Sequence, residues 1–396
     1  MYDIILKQLE KREKPIDLIV SGLGFMGFGF LSNLRQFKNV NVKLLISRRP
    51  IETKKELEKA GITNIQVTDD LEQISMTSAD VFLEMTGTTA YGTETCLKAL
   101  ESGKHVVTMN PELQVTTGTK LKQIADSKNL IFTDVLGDQP GSIARLINYA
   151  KIMGFKVLVA GNMKRYMNHY ATQKEMKPWA DDKGLAVRQT TSFTDGTKQA
   201  IEMNLVSNYF GMTITQTGMK GPECDDIRSV LNYFENGSVS KQGIVDYAIG
   251  LKLFPGVFVI VEHPDPNQKK YLRYLNMGEG PRYVLFEPYH LCHLEVLITI
   301  LNVVLFKEPT INNGDAQSTM TVAIAKGDLK KGETLDGIGG DLVRGDIMKL
   351  SDNKNYLVVG LSDGAVLKND VGKDEMVSLD DVDLPENAAT KLLNLI

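Results

Sequence analysis

The sequence predicts an α/β protein that opens with a doubly wound parallel sheet and continues into an α+β domain and a small β-rich module. Three observations carry this. A short apolar run, Ile16 to Ser21, leads straight into Gly22-Leu23-Gly24-Phe25-Met26-Gly27. Strand-like runs then alternate with helical stretches as far as Asp134, the pattern of βαβ units. The rhythm changes after Gly141, and changes again from Thr319, where short strands and Gly/Asp turns dominate.

At 396 residues the chain exceeds one ordinary core, so two or three domains are expected. Hydrophobic content of 42% and charged content of 24% are ordinary for a globular protein. A formal net charge of −4 gives no general attraction to nucleic acid or to anionic membranes. Cys96, Cys224 and Cys292 form neither a C-x-x-C pair nor a disulfide framework. With no signal-like N-terminus and no apolar run of transmembrane length, the chain reads as cytosolic. Its most apolar stretch, Leu294 to Phe306, reads as a core helix.

Taken in order, residues 1–14 form a short amphipathic helix before the first strand. A helix from about Phe28 to Phe37 and a second strand, Val40 to Ile46, follow the glycines. A Lys/Glu-rich helix runs from about Thr53 to Ala60, and strands are expected at Ile65 to Thr68 and Ala79 to Met85. A helix from about Gly92 to Glu101 precedes the strand His105 to Met109, and a helix near Thr117 to Ser127 precedes the strand Leu130 to Asp134. In the second part a helix (about Gly141 to Met153) leads to the strand Phe155 to Ala160 and a polar segment from Lys164 to Trp179. Alternation at Val187 to Phe193, Gly256 to Val261 and Tyr283 to Phe286 predicts an antiparallel or mixed sheet. The expected domains are 1–138, 139–315 and 316–396.

The spacing G-x-G-x-x-G between a strand and a helix suits a pyrophosphate, as in the Rossmann fold. Gly22 permits a tight turn, Gly24 lets backbone approach a ligand, and Gly27 lets helix pack on strand. The N-terminus of the helix that follows then faces the anion, with Phe25 and Met26 part of the same cofactor-binding turn. Where an NAD-binding domain keeps an Asp or Glu after the second strand, this chain reads Ser47-Arg48-Arg49. A carboxylate would repel a 2′-phosphate, whereas two guanidinia and a hydroxyl bind one, so the expected cofactor is NADP(H). Thr86-Gly87-Thr88 and Asn110 end the next two strands, where the nicotinamide half gathers. Glu112 stands near enough to meet substrate. A turn at a strand end explains these last residues nearly as well.

Gly103-Lys104-His105-Val106-Val107-Thr108-Met109-Asn110 resembles the strand signature of homoserine dehydrogenases, although those enzymes carry a lysine after the asparagine and this chain has Pro111-Glu112. The chain is more similar to homoserine-dehydrogenase-like reductases that include the 1-deoxy-D-xylulose 5-phosphate reductoisomerase-like (DRL) enzymes. That resemblance rests on Gly137-Asp138-Gln139-Pro140, Asp195-Gly196-Thr197-Lys198 with Glu202-Met203, Gly221-Pro222, Gly243 to Tyr247, Pro255 to Phe258, Tyr274 to Gly278 and Pro288 to Leu291. The run Ala325 to Leu335 resembles the opening of an SAF domain, a β-clip module. The resemblance implies a homodimeric, NADPH-dependent oxidoreductase acting on a small phosphorylated molecule.

Reduction of a carbonyl needs its oxygen polarised and a proton delivered to it. Lys164 and the set Asp195, Lys198 and Glu202 are the catalytic candidates, the last two at i,i+4 if a helix begins there. An Asp-Gly turn capping that helix, with Lys198 and Glu202 a solvated pair, is the structural alternative. Asp138, Gln139, Pro140, Arg165 and His169 are the substrate candidates. If a skeletal rearrangement precedes reduction, Mg²⁺ or Mn²⁺ would steady the enolate, with Asp195, Glu202 and Glu223 as hard oxygen donors. His290, Cys292, His293 and Glu295 lack metal-site spacing and read as bonded groups at a domain junction. Two other readings stay open: a dehydrogenase of homoserine or a related small hydroxy acid, and a non-catalytic NADP-binding sensor.

Overall fold

The computed structural model describes residues 2–234 and 240–395. The chain divides into two compact units that are not consecutive stretches. The first takes in Met1–Asp138, Leu291–Asp315 and Glu386–Ile396, and the second Gln139–His290 and Ala316–Pro385.

The first unit begins with α1 (Tyr2–Glu10) and β1 (Ile16–Ser21), and the glycine turn feeds α2 (Phe25–Leu34). There follow β2 (Val40–Ile46), α3 (Pro50–Lys59), β3 (Gln66–Thr68), α4 (Glu72–Met76), β4 (Val81–Glu84), α5 (Thr89–Glu101) and β5 (His105–Thr108). A short α6 (Pro111–Leu113) passes through a π turn into α7 (Thr119–Ser127) and then β6 (Phe132–Asp134). The six strands are parallel in the order β3-β2-β1-β4-β5-β6. Central strands such as β1 and β4 are covered on both faces and are therefore almost wholly apolar. The order reverses between β1 and β4, and ligands gather beyond the carboxyl ends of strands at such a point.

The second unit opens with α8 (Gln139–Ile152) and β7 (Lys156–Lys164), then α9 (Gln173–Lys183), α10 (Val187–Thr194) and α11 (Thr197–Phe210). Next come β8 (Ile244–Ile249), β9 (Val257–Glu262), α12 (Gln268–Tyr274) and β10 (Arg282–Glu287). The sheet is mixed, in the order β10-β9-β7-β8, with β7 and β8 parallel and the other pairs antiparallel.

Two expectations fail, each for a physical reason. Val187 to Phe193 is no strand: it is α10. Its threonines fit a helix because Thr190, Thr191 and Thr194 turn their hydroxyls back onto the carbonyls of Ala186, Val187 and Thr190. The apolar α13 (Cys292–Phe306) joins the first unit, not the stretch 139–315 in which it was expected. Its Val296, Leu297, Ile300, Leu301 and Val303 share one core with Phe30, Leu31 and Leu34 of α2.

From Thr319 the chain is β-rich, as its turns suggested. An antiparallel pair, β11 (Thr319–Ala325) and β12 (Val343–Lys349), is joined by the short β13 (Val366–Leu367) and β14 (Val382–Asp383). These strands pack within the second unit, where Asn204 and Asn208 of α11 bond the Thr319 carbonyl. A final helix, α14 (Ala388–Leu392), packs on α5 in the first unit. No helix among the described residues is long and apolar enough to cross a membrane.

Candidate functional site

The three glycines do three different jobs. Gly22 has φ +95°, and a Cβ there would come within 2.8 Å of the Met85 carbonyl. At Gly27 a Cβ would press to 2.7 Å from the Gly22 carbonyl, so the helix meets the turn this closely because Gly27 has no side chain. A Cβ on Gly24 would meet nothing within 4 Å, leaving open the side from which a pyrophosphate approaches. The residues present therefore fit a dinucleotide. A cavity of about 460 Å³ opens beside them, lined by Gly24, Phe25, Phe28 and Gly29, by Arg49 and Glu56, and by His293 of α13.

The arginines after β2 diverge. Arg48 places its guanidinium 5.6 Å from the centre of the Tyr91 ring, whereas Arg49 lines the cavity. Ser47 is spent locally: its hydroxyl accepts from the Arg49 N–H and shares a 2.8 Å bond with Thr53, fastening the start of α3. Any phosphate recognition here falls to the two arginines.

The strand-end residues at β4 and β5 form one polar assembly. Glu84 is fully buried, and its Oε1 accepts both the N–H and the hydroxyl of Thr86. Burial outweighs those bonds and lifts the Glu84 carboxyl to about 7. Thr86 and Thr88 share a hydroxyl bond of 3.1 Å, and the Asn110 amide donates to the Thr88 carbonyl. Asn110 also caps α6 by accepting from the Leu113 N–H, so this buried side chain braces the turn after β5. Gly87 is exposed, and Glu112 is buried on α6.

In the second unit, β7, α8 and α11 bring four side chains together. Lys164 Nζ donates to Gln139 Oε1 at 3.0 Å and lies 3.4 Å from Glu202 Oε2. The Asn162 amide bridges the same two acceptors, at 3.1 Å and 2.7 Å. The lysine retains 15% of its side-chain exposure and the glutamate 3%, so the ammonium is the reachable member. Pro140 starts α8 beside Gln139, and Gln199, one turn before Glu202, is buried with neither amide atom bonded among the described residues.

Asp195 stands apart from this cluster in its bonds. Its carboxylate accepts the Thr197 N–H and pairs with Lys326 at 2.8 Å, both side chains being buried. The Lys326 ammonium also donates to the carbonyls of Ala171 and Gly340. Asp195 thus shapes the turn into α11, the structural alternative that the sequence left open. His169 packs on that turn, its Nδ1 3.0 Å from the Asp195 carbonyl oxygen. Lys198 is half-buried one turn before Glu202 on α11. Arg165 is exposed, with its Nε on the Leu253 carbonyl, and Asp138 is buried at the end of its own unit.

A divalent cation fits the three expected donors poorly. Asp195 faces Lys326, Glu202 faces Lys164, and Glu223 is exposed. A dication would compete with an ammonium at both buried carboxylates.

Residues 22–133 match the homoserine dehydrogenase NAD-binding domain. Residues 137–296 match the catalytic domain of oxidoreductase DRL. The chain thus resembles two oxidoreductase domain families in succession. Among curated proteins it is 28% identical over 123 residues to homoserine dehydrogenase of Neisseria gonorrhoeae, covering 30% of this chain and 28% of that one. It is 23% identical over 222 residues to that of Lactococcus lactis, covering 50% and 51%. The chain therefore aligns with about a quarter to a half of these relatives' length. Among solved structures, homoserine dehydrogenase of S. aureus is 15% identical, with 84% of this chain and 92% of that one covered and a TM-score of 0.43. A probable dehydrogenase of Thermotoga maritima is 14% identical, with 74% and 90% covered and a TM-score of 0.47.

Sequence reasoning passed over Glu84, Tyr91, Asn162 and Lys326, and read His293 as a bonded group at a domain junction, not as part of the cavity beside the glycines. Glu84 did leave a signal, a carboxylate closing the otherwise apolar Val81-Phe82-Leu83. Lys326 left none, because its partner is far away in the chain.

Proposed function

We propose that this chain is an NADPH-dependent oxidoreductase that reduces a carbonyl of a small phosphorylated substrate. The single observation that carries the reading is the cluster of Lys164, Gln139, Asn162 and Glu202, in a domain similar to the DRL catalytic domain. When bound, the cofactor supplies a hydride. Lys164 is the group that polarises the carbonyl and delivers a proton to its oxygen. Glu202 pairs with that lysine, and Asn162 and Gln139 fix where its ammonium points. Arg48 and Arg49, with no acidic residue in the turn Ser47-Arg48-Arg49 that follows β2, support NADPH over NADH.

The N-terminal similarity to homoserine dehydrogenases keeps a small hydroxy-acid substrate as the second reading. Loss of NADPH absorbance against phosphorylated ketoses, phosphorylated aldoses and semialdehydes, each with and without Mg²⁺ or Mn²⁺, separates the two. Turnover of a phosphorylated sugar supports the first reading, and turnover of a semialdehyde alone supports the second. NADPH binding without turnover of any of them would leave a sensor. We take the chain to be a homodimer, and a monomer in sedimentation would contradict this.

A further inference from the structure

We propose that Glu84 is a positioning residue for the nicotinamide half of the cofactor, holding the Thr86 hydroxyl so that the strand-end turn presents oxygen acceptors to ribose hydroxyls. The proposal rests on the dinucleotide reading above and adds a residue and a ligand chemistry to it.

A carboxylate has no proton, so it can only accept, and Glu84 Oε1 takes two hydrogen bonds from Thr86. The hydroxyl proton of Thr86 is thereby turned inward. Its lone pairs then accept the Thr88 hydroxyl at 3.1 Å and the Thr88 N–H at 3.4 Å, so the Thr88 oxygen is the acceptor left at the surface, and both threonines are partly exposed. What such a turn recognises is a donor, and the sugar hydroxyls of a nucleoside are donors. The place agrees, because β4 lies beside β1 at the point where the strand order reverses.

The surroundings are built to keep this carboxyl in place. At Gly92 of α5 a Cβ would stand 3.2 Å from both Glu84 Cδ and Asn110 Nδ2, so any larger residue would push the pair aside. Glu84 Oε2 makes no hydrogen bond among the described residues, a costly state for a group kept only for packing. The titratable groups around it are Glu112 on α6 and Tyr91 and Cys96 on α5. None is a cation that would fix its charge. Protonated on Oε2, Glu84 still accepts at Oε1, so the arrangement of Thr86 depends on that oxygen and not on the charge.

The test compares NADP⁺ with 2′,5′-ADP, which lacks the nicotinamide half, by calorimetric titration from pH 6 to pH 8. The 2′-phosphate titrates in both ligands, so the ratio of their dissociation constants isolates the other half. Glu84→Ala is expected to weaken NADP⁺ about tenfold while changing 2′,5′-ADP by less than about twofold. Glu84→Gln keeps an acceptor for Thr86, so it should hold NADP⁺ within about twofold of the natural protein across this range. Equal weakening of both ligands by Glu84→Ala would overturn the proposal, as would a Glu84→Gln ratio shifted as far as that of Glu84→Ala. If Glu84→Ala does not fold, Thr86→Val, which removes the hydroxyl that Glu84 holds, takes its place in the comparison, with the same two outcomes. A natural protein that binds neither ligand would overturn the dinucleotide reading and this proposal with it.

Discussion

Lys164 Nζ lies 3.4 Å from Glu202 Oε2, with the ammonium reachable from solvent and the carboxylate closed off from it. The opposite arrangement would leave a buried lysine that must shed its charge. Here the buried partner is the acid, already bonded to Asn162, and the lysine can release a proton outward and recover it. Lys164→Met is expected to fold and to bind NADPH within about twofold of normal while turnover falls by about 10²- to 10⁴-fold. Steady-state kinetics on whichever substrate the panel identifies would check this, and unaltered turnover would remove Lys164 from the mechanism.

Arg48 and Arg49 carry cofactor choice. Replacing both with alanine should weaken NADPH by about 10- to 100-fold and NADH by less than about twofold. Ser47→Ala should behave differently. Its hydroxyl is spent on Arg49 and Thr53, so it should cost about 1 kcal/mol of stability and leave the NADPH/NADH ratio alone. Equal losses for both cofactors in the arginine variant would refute the NADP assignment.

Gly24 and Gly22 separate binding from folding. A Cβ on Gly24 meets open space, so Gly24→Ala should melt like the natural protein and bind dinucleotide poorly. Gly22→Ala forces a side chain into φ +95° and against Met85, and should lower the melting temperature as well. Normal dinucleotide binding by Gly24→Ala would argue that the turn is structural only.

The pH dependence of stability follows from Glu84. Its carboxyl titrates at about 7 when folded, against 4.5 as the ordinary value. Between those values the folded state holds the extra proton, so stability falls as pH rises from 4.5 to 7 and is constant outside that window. The shift corresponds to roughly 3 kcal/mol. Asp246, raised by burial from 3.8 to about 6, acts in the same direction at lower pH. Urea denaturation at pH 5 and pH 8 should show Glu84→Gln gaining on the natural protein only at the higher pH.

The ion pair of Asp195 and Lys326 should be worth most when half of it is removed. Lys326→Met strands a buried carboxylate and should cost about 3 to 5 kcal/mol, with Asp195→Asn restoring part of the loss. If Lys326→Met folds as stably as the natural protein, the pair has no structural weight.

How much of this was legible in the sequence depended on range. The parallel sheet could be read because each βαβ unit announces itself locally, through an apolar strand and a turn residue. The glycine turn, Lys164 and Glu202 could be named as candidates because residue type and local spacing carry chemistry, but spacing paired Glu202 with Lys198, and its contact with Lys164 is a matter of the fold. Val187 to Phe193 misled because threonine favours strands until its hydroxyl is given a helical carbonyl. α13 was recognised as a core helix, but which core it joins is decided by Phe30 and Leu31, far away in the chain. The ion pair of Asp195 could not be read because nothing near it in sequence reveals Lys326.

That buried lysine also bears on how freely the C-terminal part can be exchanged. Its ammonium ties together Asp195, the loop carbonyl of Ala171 and the carbonyl of Gly340. The β-rich stretch is therefore no detachable tag. Cutting the chain at Thr319 would uncover a charge inside the second unit, and any transplanted module would have to bring its own cation to that place. Inheritance of the two parts is expected to be joint, with Asp195 and Lys326 lost or kept together.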